Sequence, residues 1–192
     1  KYDSRENNIL SDSEHLLECM NWLRHAYISS IDAGVPSEYD LIQERWGSSY
    51  PETTGYIIST FVTYSKYSDD QSFMKDAIAM GDWEIRIQSI DGGAGEPVGV
   101  YLLKPRIFNT GQVMLGWLSL YKETCDNRYL DALIRAADFL VENISNEGEW
   151  LNYTLLGKSR TYKSRVIWAL LEVYSITNDE RYKRPAESVI SW

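Results

Sequence analysis

Histidine and cysteine are scarce in this chain, with two of each among 192 residues. His15 and His25 stand ten positions apart, too far for the same-face spacing of three or four that a helical metal site uses. Among the thiols and imidazoles no more than two, His15 and Cys19, fall at such a spacing, too few for a metal site, so no metal centre is expected. Cys19 and Cys125 fall inside apolar helical patterns and are expected to be buried free thiols. Positive charge is in deficit, with 19 basic against 28 acidic residues and a net charge of −9. That balance argues against nucleic acid and anionic membranes as partners, because both require a concentrated basic face. No transmembrane run, nucleophile elbow, phosphate loop or dinucleotide fingerprint is visible in these residues. No cofactor is expected, and the cytoplasm is the default location. The sequons at Asn143 and Asn152 matter only if the chain is exported.

Aromatic side chains are plentiful, at 13 % with seven Trp and fourteen Tyr. They suit both a packed core and a cleft that stacks on sugar rings, and composition does not choose between the two.

The chain repeats. YPETTGYIISTFVTYSKYSDDQSFMKDAIAMGDW (50–83), FNTGQVMLGWLSLYKETCDNRYLDALIRAADF (108–139) and TYKSRVIWALLEVYSITNDERYKRPAESVISW (161–192) align on Tyr64, Tyr121 and Tyr174, which lie 57 and then 53 residues apart. Each unit reads as an apolar helix, a polar turn and a second helix closing on Asp82-Trp83, Asp138-Phe139 or Ser191-Trp192. Asn21-Trp22 supplies a fourth closing pair on the first helix. An acidic residue followed closely by Gly recurs after the second helices, at Asp32, Asp91 and Glu147, and suits a turn needing positive φ.

In the first helix of a pair, as at Val113, Leu115, Trp117, Leu118 and Leu120, apolar residues surround much of the circumference. The second helix, as at Leu130, Leu133, Ile134, Ala137 and Leu140, carries a narrower stripe. Alternation of more and less buried helices at a period near 55 residues predicts an all-α architecture. The expected form is about seven helices making part of an (α/α)6 toroid, in one domain over 1–192, with hairpin boundaries near 48, 107 and 160. Only Gly92 to Lys104 breaks the helical rhythm, and alternating Val98, Val100 and Leu102 predict a short extended segment near 96–103. Seven helices make a little over half of a closed ring. The expectation is an incomplete toroid, either a fragment of a longer protein or one completed by a homo-oligomeric partner copy.

In such a ring the starts of the inner helices converge on one mouth. Counting back from the shared tyrosine makes Glu52, Asn109 and Tyr162 equivalent, and likewise Gly55, Gln112 and Arg165. Thr53, Thr54, Asn109 and Thr110 read as helix caps ahead of ligand contacts, and Pro51 suits a first helical turn. Glu52, near a helix N-terminus, is expected to be stabilised as the anion and to serve as a base or nucleophile; it also fits a plain first-turn role. Tyr50 is a candidate proton donor or stacking ring. Arg45 and Arg165 are the candidate partners of an anionic substrate, because the guanidinium fork pairs a carboxylate bidentately. Trp46, Trp150 and Tyr153 are candidate stacking rings, of which one is expected to serve. Tyr50, Glu52 and Arg165 form the candidate catalytic set. Arg45, Trp46, Asn109, Gln112, Trp150, Tyr153 and Tyr162 form the substrate-binding set.

The run WGSSYPETTGYIIST, with FNTGQVMLGWLSLYKETCDNRYLDALIRAADFLVE and TYKSRVIWALLEVY, resembles bacterial and archaeal proteins found with polysaccharide biosynthesis functions. These are similar to six-hairpin glycosidase-type toroids and to glucuronyl C5-epimerase domains. The resemblance implies a toroid and a carbohydrate ligand, by hydrolysis, elimination or epimerisation of an acidic saccharide. A non-catalytic scaffold that binds a sugar or a protein is the alternative, since the motifs carry one convincing carboxylate and most glycoside hydrolases use two.

Overall fold

The computed structural model of the chain describes residues 10–98, 102–158 and 163–190. Seven helices run through them: α1 (Asp12–Ile28), α2 (Pro51–Ser68), α3 (Gln71–Ile87), α4 (Ile107–Thr124), α5 (Asn127–Glu142), α6 (Ser164–Thr177) and α7 (Glu180–Ile190). Two small antiparallel ribbons interrupt them, β1 (Tyr39–Asp40) with β2 (Arg45–Trp46) and β3 (Gly95–Val98) with β4 (Leu102–Pro105). The second ribbon lies where alternation predicts extended chain. The first has no counterpart in the sequence reading, because two paired residues per strand leave no alternation to detect.

Each hairpin turns in the same way. Asp69, Cys125 and Asn178 end α2, α4 and α6 in the left-handed region, at φ of 57°, 56° and 55°. The next residue, Asp70, Asp126 or Asp179, starts the outer helix by accepting a hydrogen bond from the backbone N–H of Ser72, Arg128 or Arg181. A capping carboxylate of this kind is worth about 1 kcal/mol. These turns set the true register of the repeat at offsets of 56 and 53 residues. Ser65, and not Tyr64, is therefore the counterpart of Tyr121 and Tyr174. An inner helix that is apolar around most of its circumference hides a one-residue slip in register; a turn with one left-handed residue does not.

Contacts between hairpins obey the corrected register. Tyr129 donates its hydroxyl to Asp82 Oδ1 at 2.9 Å, and Tyr182 does the same to Asp138 at 2.9 Å. Arg128 and Arg181 pair with the same two carboxylates. Burial, followed by the Asp138 hydrogen bond and charge, pushes Tyr182 up to about 12.

α2, α4 and α6 lie side by side as the inner layer, with α3, α5 and α7 outside them. α4, flanked by inner helices on both sides, is buried around most of its circumference, whereas α5 buries a single stripe. Trp117, Met114 and Leu120 of α4 meet Met80 and Phe61 in the core, and the Trp117 indole donates to the Gly81 carbonyl at 3.2 Å. α2 and α4 approach closely because Gly55 has no side chain: a Cβ there would come within 2.8 Å of the Gln112 carbonyl oxygen. Gly111 plays the same part against Val166 of α6.

The linkers into the inner helices also repeat. Asp32 accepts from Ser30, Ser49 and the Gly34 N–H, and Asp91 accepts from Ser89 and the Gly93 N–H. The positive φ expected at these acidic turns is present at Ala33, Gly92 and Gly148.

Both thiols are exposed, which corrects the expectation of burial. α1 buries only Met20 and Ala26, so the apolar neighbours of Cys19 lack a packing partner on that face. Cys125 sits on the turn after α4, outside the helical stripe. No helix among the described residues is long and apolar enough to cross a membrane.

Candidate functional site

The starts of α2, α4 and α6 form one mouth. A cavity of about 360 Å3 there is lined by Tyr50 and Glu52, by Arg106, Phe108 and Asn109, by Tyr153 to Leu155 of the preceding linker, and by Lys163. Asn109, almost wholly buried, donates from Nδ2 to the Tyr50 hydroxyl at 3.0 Å. The linker is tied to α4 by the Ile107 N–H on the Tyr153 carbonyl at 3.0 Å. The Tyr153 ring packs edge-on against Phe139 with centroids 5.1 Å apart and remains partly exposed. Lys163 is buried, and its Nζ donates to the Trp150 carbonyl at 2.8 Å.

Glu52 is half-buried and makes no hydrogen bond or ion pair among the described residues. Burial pushes its carboxyl above the usual range, the opposite direction from the helix-dipole expectation. The dipole acts only over the first turn and is screened at exposed sites, whereas the cavity wall removes water from the carboxylate directly. For Glu52, burial and not the helix start sets the direction of the shift.

A second cavity of about 340 Å3 continues along the inner faces of α2, α4 and α6. In the corrected register Tyr56, Gln112 and Arg165 are equivalent, and they converge there. Arg165 donates from Nε to Gln112 Oε1 at 3.1 Å, and its Cζ lies 5.2 Å from the centre of the Tyr56 ring. Gln112 is fully buried and completes its bonding through Nε2 on the Phe108 carbonyl. Among the described residues no acidic side chain pairs with Arg165, and its terminal nitrogens make no hydrogen bond. Burial raises the Tyr56 phenol, with Arg165 opposing and Glu52 adding to the shift, so Tyr56 connects the mouth to this inner groove.

A turn further along α6, Trp168 lines the same groove and donates its indole N–H to Glu172 Oε1 at 3.0 Å. Glu172 also pairs with Lys122 at 2.7 Å, and that bond first, then the indole, holds its carboxyl below the usual range against the effect of burial.

Of the residues singled out from sequence, Tyr50, Glu52, Asn109 and Tyr153 meet at the mouth, and Gln112 and Arg165 meet in the groove. Tyr162 lies outside the described residues. Arg45 is exposed on the β1–β2 ribbon opposite Asp40 and lines neither cavity. Trp46 belongs to an aromatic cluster, 5.1 Å from Trp22 and 5.0 Å from Tyr39 between ring centres, that pins the ribbon to α1. Trp150 is wholly buried, its indole donating to the Leu140 carbonyl at 2.9 Å, and presents no face to a ligand. Thr54 and Thr110 are not caps; each hydroxyl clips the preceding linker. Tyr56, Trp168, Arg106 and Lys163 were not signalled. The corrected register brings Tyr56 level with Gln112 and Arg165, and places Trp168 level with the groove residues Ser59 and Leu115.

The arrangement of two concentric helical layers around this groove has solved counterparts. An α-mannanase of glycoside hydrolase family 76 from Bacteroides thetaiotaomicron superposes with a TM-score of 0.71 at 19 % identity, over 93 % of this chain and 54 % of that one. The seven helices form part of an all-α toroid of this kind. A family 76 glycoside hydrolase from a bovine Bacteroides thetaiotaomicron strain superposes with a TM-score of 0.69 at 14 % identity, over 94 % of this chain and 43 % of that one. The chain thus spans about half the length of these toroid enzymes. No protein-family model and no curated protein matches the sequence.

Proposed function

We propose that the toroid groove binds an acidic oligosaccharide, with Arg165 receiving a sugar carboxylate and Glu52 transferring a proton at the mouth. The observation that carries this reading is Arg165 itself. Gln112 and the Tyr56 ring hold the guanidinium from one side, and no acidic group among the described residues neutralises it. A cation so oriented favours a bidentate carboxylate, and such charge-assisted bonds contribute about 1.5–3 kcal/mol. Glycosidases of this fold supply the carbohydrate class; the acidic character comes from the groove.

Tyr50, at the same mouth as Glu52, is the candidate partner in proton transfer. Elimination or epimerisation at the carbon beside a sugar carboxylate needs one group to remove a proton and a cation to stabilise the resulting charge. Hydrolysis needs two carboxyl groups. Among the described residues the two cavities hold Glu52 and Glu172, and Glu172 is engaged by Lys122 and Trp168. That same observation favours, as second reading, a scaffold that binds the saccharide without turning it over.

Calorimetric titration of uronate oligosaccharides and of their neutral, carboxyl-reduced counterparts tests the proposal. Preference for the acidic ligand of about tenfold or more, lost in Arg165→Gln, is expected. Equal affinity for both ligands would sink it. Release of an unsaturated or inverted uronate, abolished in Glu52→Gln, separates the catalytic reading from the scaffold.

A further inference from the structure

We infer that Trp168 forms a second sugar subsite beside Arg165, so that the ligand is at least a disaccharide joining an acidic sugar to one that presents an apolar ring face. This rests on the acidic-saccharide reading of the same groove and specifies its substrate class.

Trp168 is 51 % exposed, an unusual state for the largest apolar side chain. Its orientation is nevertheless determined. The indole N–H is anchored on Glu172 Oε1, and Glu172 is anchored in turn by Lys122 of the neighbouring inner helix. An indole held at its polar edge with much of its surface open is a pre-ordered stacking platform, because little rotamer freedom remains to be lost when a ligand arrives.

The repeat shows which way the position faces. Ser59 of α2 and Leu115 of α4 are its equivalents, and all three line the one groove. Trp168 lines the groove from α6 as Ser59 does from α2, where the Ser59 hydroxyl also reaches the Leu115 carbonyl of the next inner helix. Where the preceding helices carry a small hydroxyl and a leucine, α6 carries the ring.

Spacing supplies the ligand's length. Trp168 follows Arg165 by three residues on one helix, which puts the two on the same face about 4.5 Å apart along its axis. That rise is of the order of one sugar unit. A carboxylate on Arg165 thus places the adjoining ring over the indole, where the C–H face of a pyranose meets the electron-rich aromatic face. Ser119 and the Lys122–Glu172 pair lie alongside in the groove as hydrogen-bonding partners for the ring's hydroxyls.

The experiment compares three ligands by calorimetry: a monomeric uronate, a disaccharide of that uronate with a neutral hexose, and the neutral hexose disaccharide. It uses the wild-type chain, Trp168→Ala, Trp168→Phe and Arg165→Gln, each checked for an unchanged melting temperature. The wild type is expected to bind the mixed disaccharide more tightly than the uronate. Trp168→Ala should erase that difference, roughly tenfold, and Trp168→Phe should restore most of it. Arg165→Gln should weaken both acidic ligands. If Trp168→Ala weakens the uronate and the mixed disaccharide equally, or neither, the subsite is overturned while a loss in Arg165→Gln keeps the acidic reading. If Arg165→Gln changes nothing but Trp168→Ala weakens both disaccharides, the acidic reading fails and the stacking platform stands.

Discussion

Thr54 and Thr110 make the same pair of hydrogen bonds at the starts of successive inner helices, 56 positions apart. Each hydroxyl accepts from the linker, from the Val35 or the Ala94 N–H at 2.9 Å, and donates to the carbonyl four residues earlier, of Tyr50 or Arg106. Thr110→Val keeps the shape and leaves a buried N–H unpaired, so a loss of about 1–3 kcal/mol is expected. Thr110→Ser should retain most of the stability. Chemical denaturation of both variants checks this, and equal stability of the valine variant would refute it.

Glu84 on α3 is wholly buried, and neither carboxyl oxygen has a partner among the described residues. Its equivalent in the next hairpin is Leu140, a core residue. Burial drives the Glu84 carboxyl well above its ordinary value, so the folded state retains a proton that the unfolded chain loses near 4.5. The folded pKa is the higher one; its contribution to stability is therefore fully present below 4.5 and is lost as pH rises toward the folded value. Glu84→Leu should raise stability at pH 7 by about 1–3 kcal/mol, with the gain shrinking as pH falls toward 4. Thermal melts across that range measure it.

Gln112 positions the Arg165 guanidinium through one hydrogen bond. Gln112→Glu, almost isosteric, would convert that bond into an ion pair and compete with an acidic ligand. Affinity for a uronate should fall by more than tenfold in Gln112→Glu and by less in Gln112→Leu. A rise in affinity for the glutamate variant would contradict the assignment of Arg165.

Glu52 should titrate above 4.5 in an NMR experiment on its side-chain carboxyl, because burial disfavours the anion. By the same sign argument its contribution to stability declines as pH rises through the folded value, so Glu52→Gln should melt higher than wild type at pH 7 than it does at pH 4. A midpoint below 4.5 would restore the helix-dipole expectation.

Cys125 occupies a left-handed turn position at φ 56°, where a side chain costs about 1–2 kcal/mol. Cys125→Gly is expected to stabilise the chain by roughly 1 kcal/mol. In the native wild type both thiols should react with an aromatic disulfide reagent without prior unfolding, since both are exposed.

The helical repeat was legible because it is written in local chemistry. Asp70, Asp126 and Asp179 announce the outer helices, and the wide apolar faces of α2, α4 and α6 announce neighbours on two sides. The candidate site was legible at Tyr50, Glu52, Asn109, Gln112 and Arg165, residues at the starts of helices whose order the repeat supplies. Tyr56 was hidden by aligning on Tyr64, one position out of register. Lys163 was hidden because a lysine in a polar linker looks like a surface residue until its carbonyl partner, Trp150, is brought against it. Trp150 and Trp46 misled in the other direction, since a tryptophan reads the same in sequence whether its ring faces a ligand or the core.

By itself, the sequence determined the number of helices, their division into inner and outer members and the capped turns between them. Those properties depend on backbone hydrogen bonds and apolar spacing within a few residues. Only the tertiary structure decided that Tyr56, Gln112 and Arg165 share a groove, that burial raises the Glu52 carboxyl above its ordinary range and that Trp168 stands open beside them. Those properties depend on burial and on side chains brought together from three helices, over separations at which a single misplaced residue turns a helical position by about 100°.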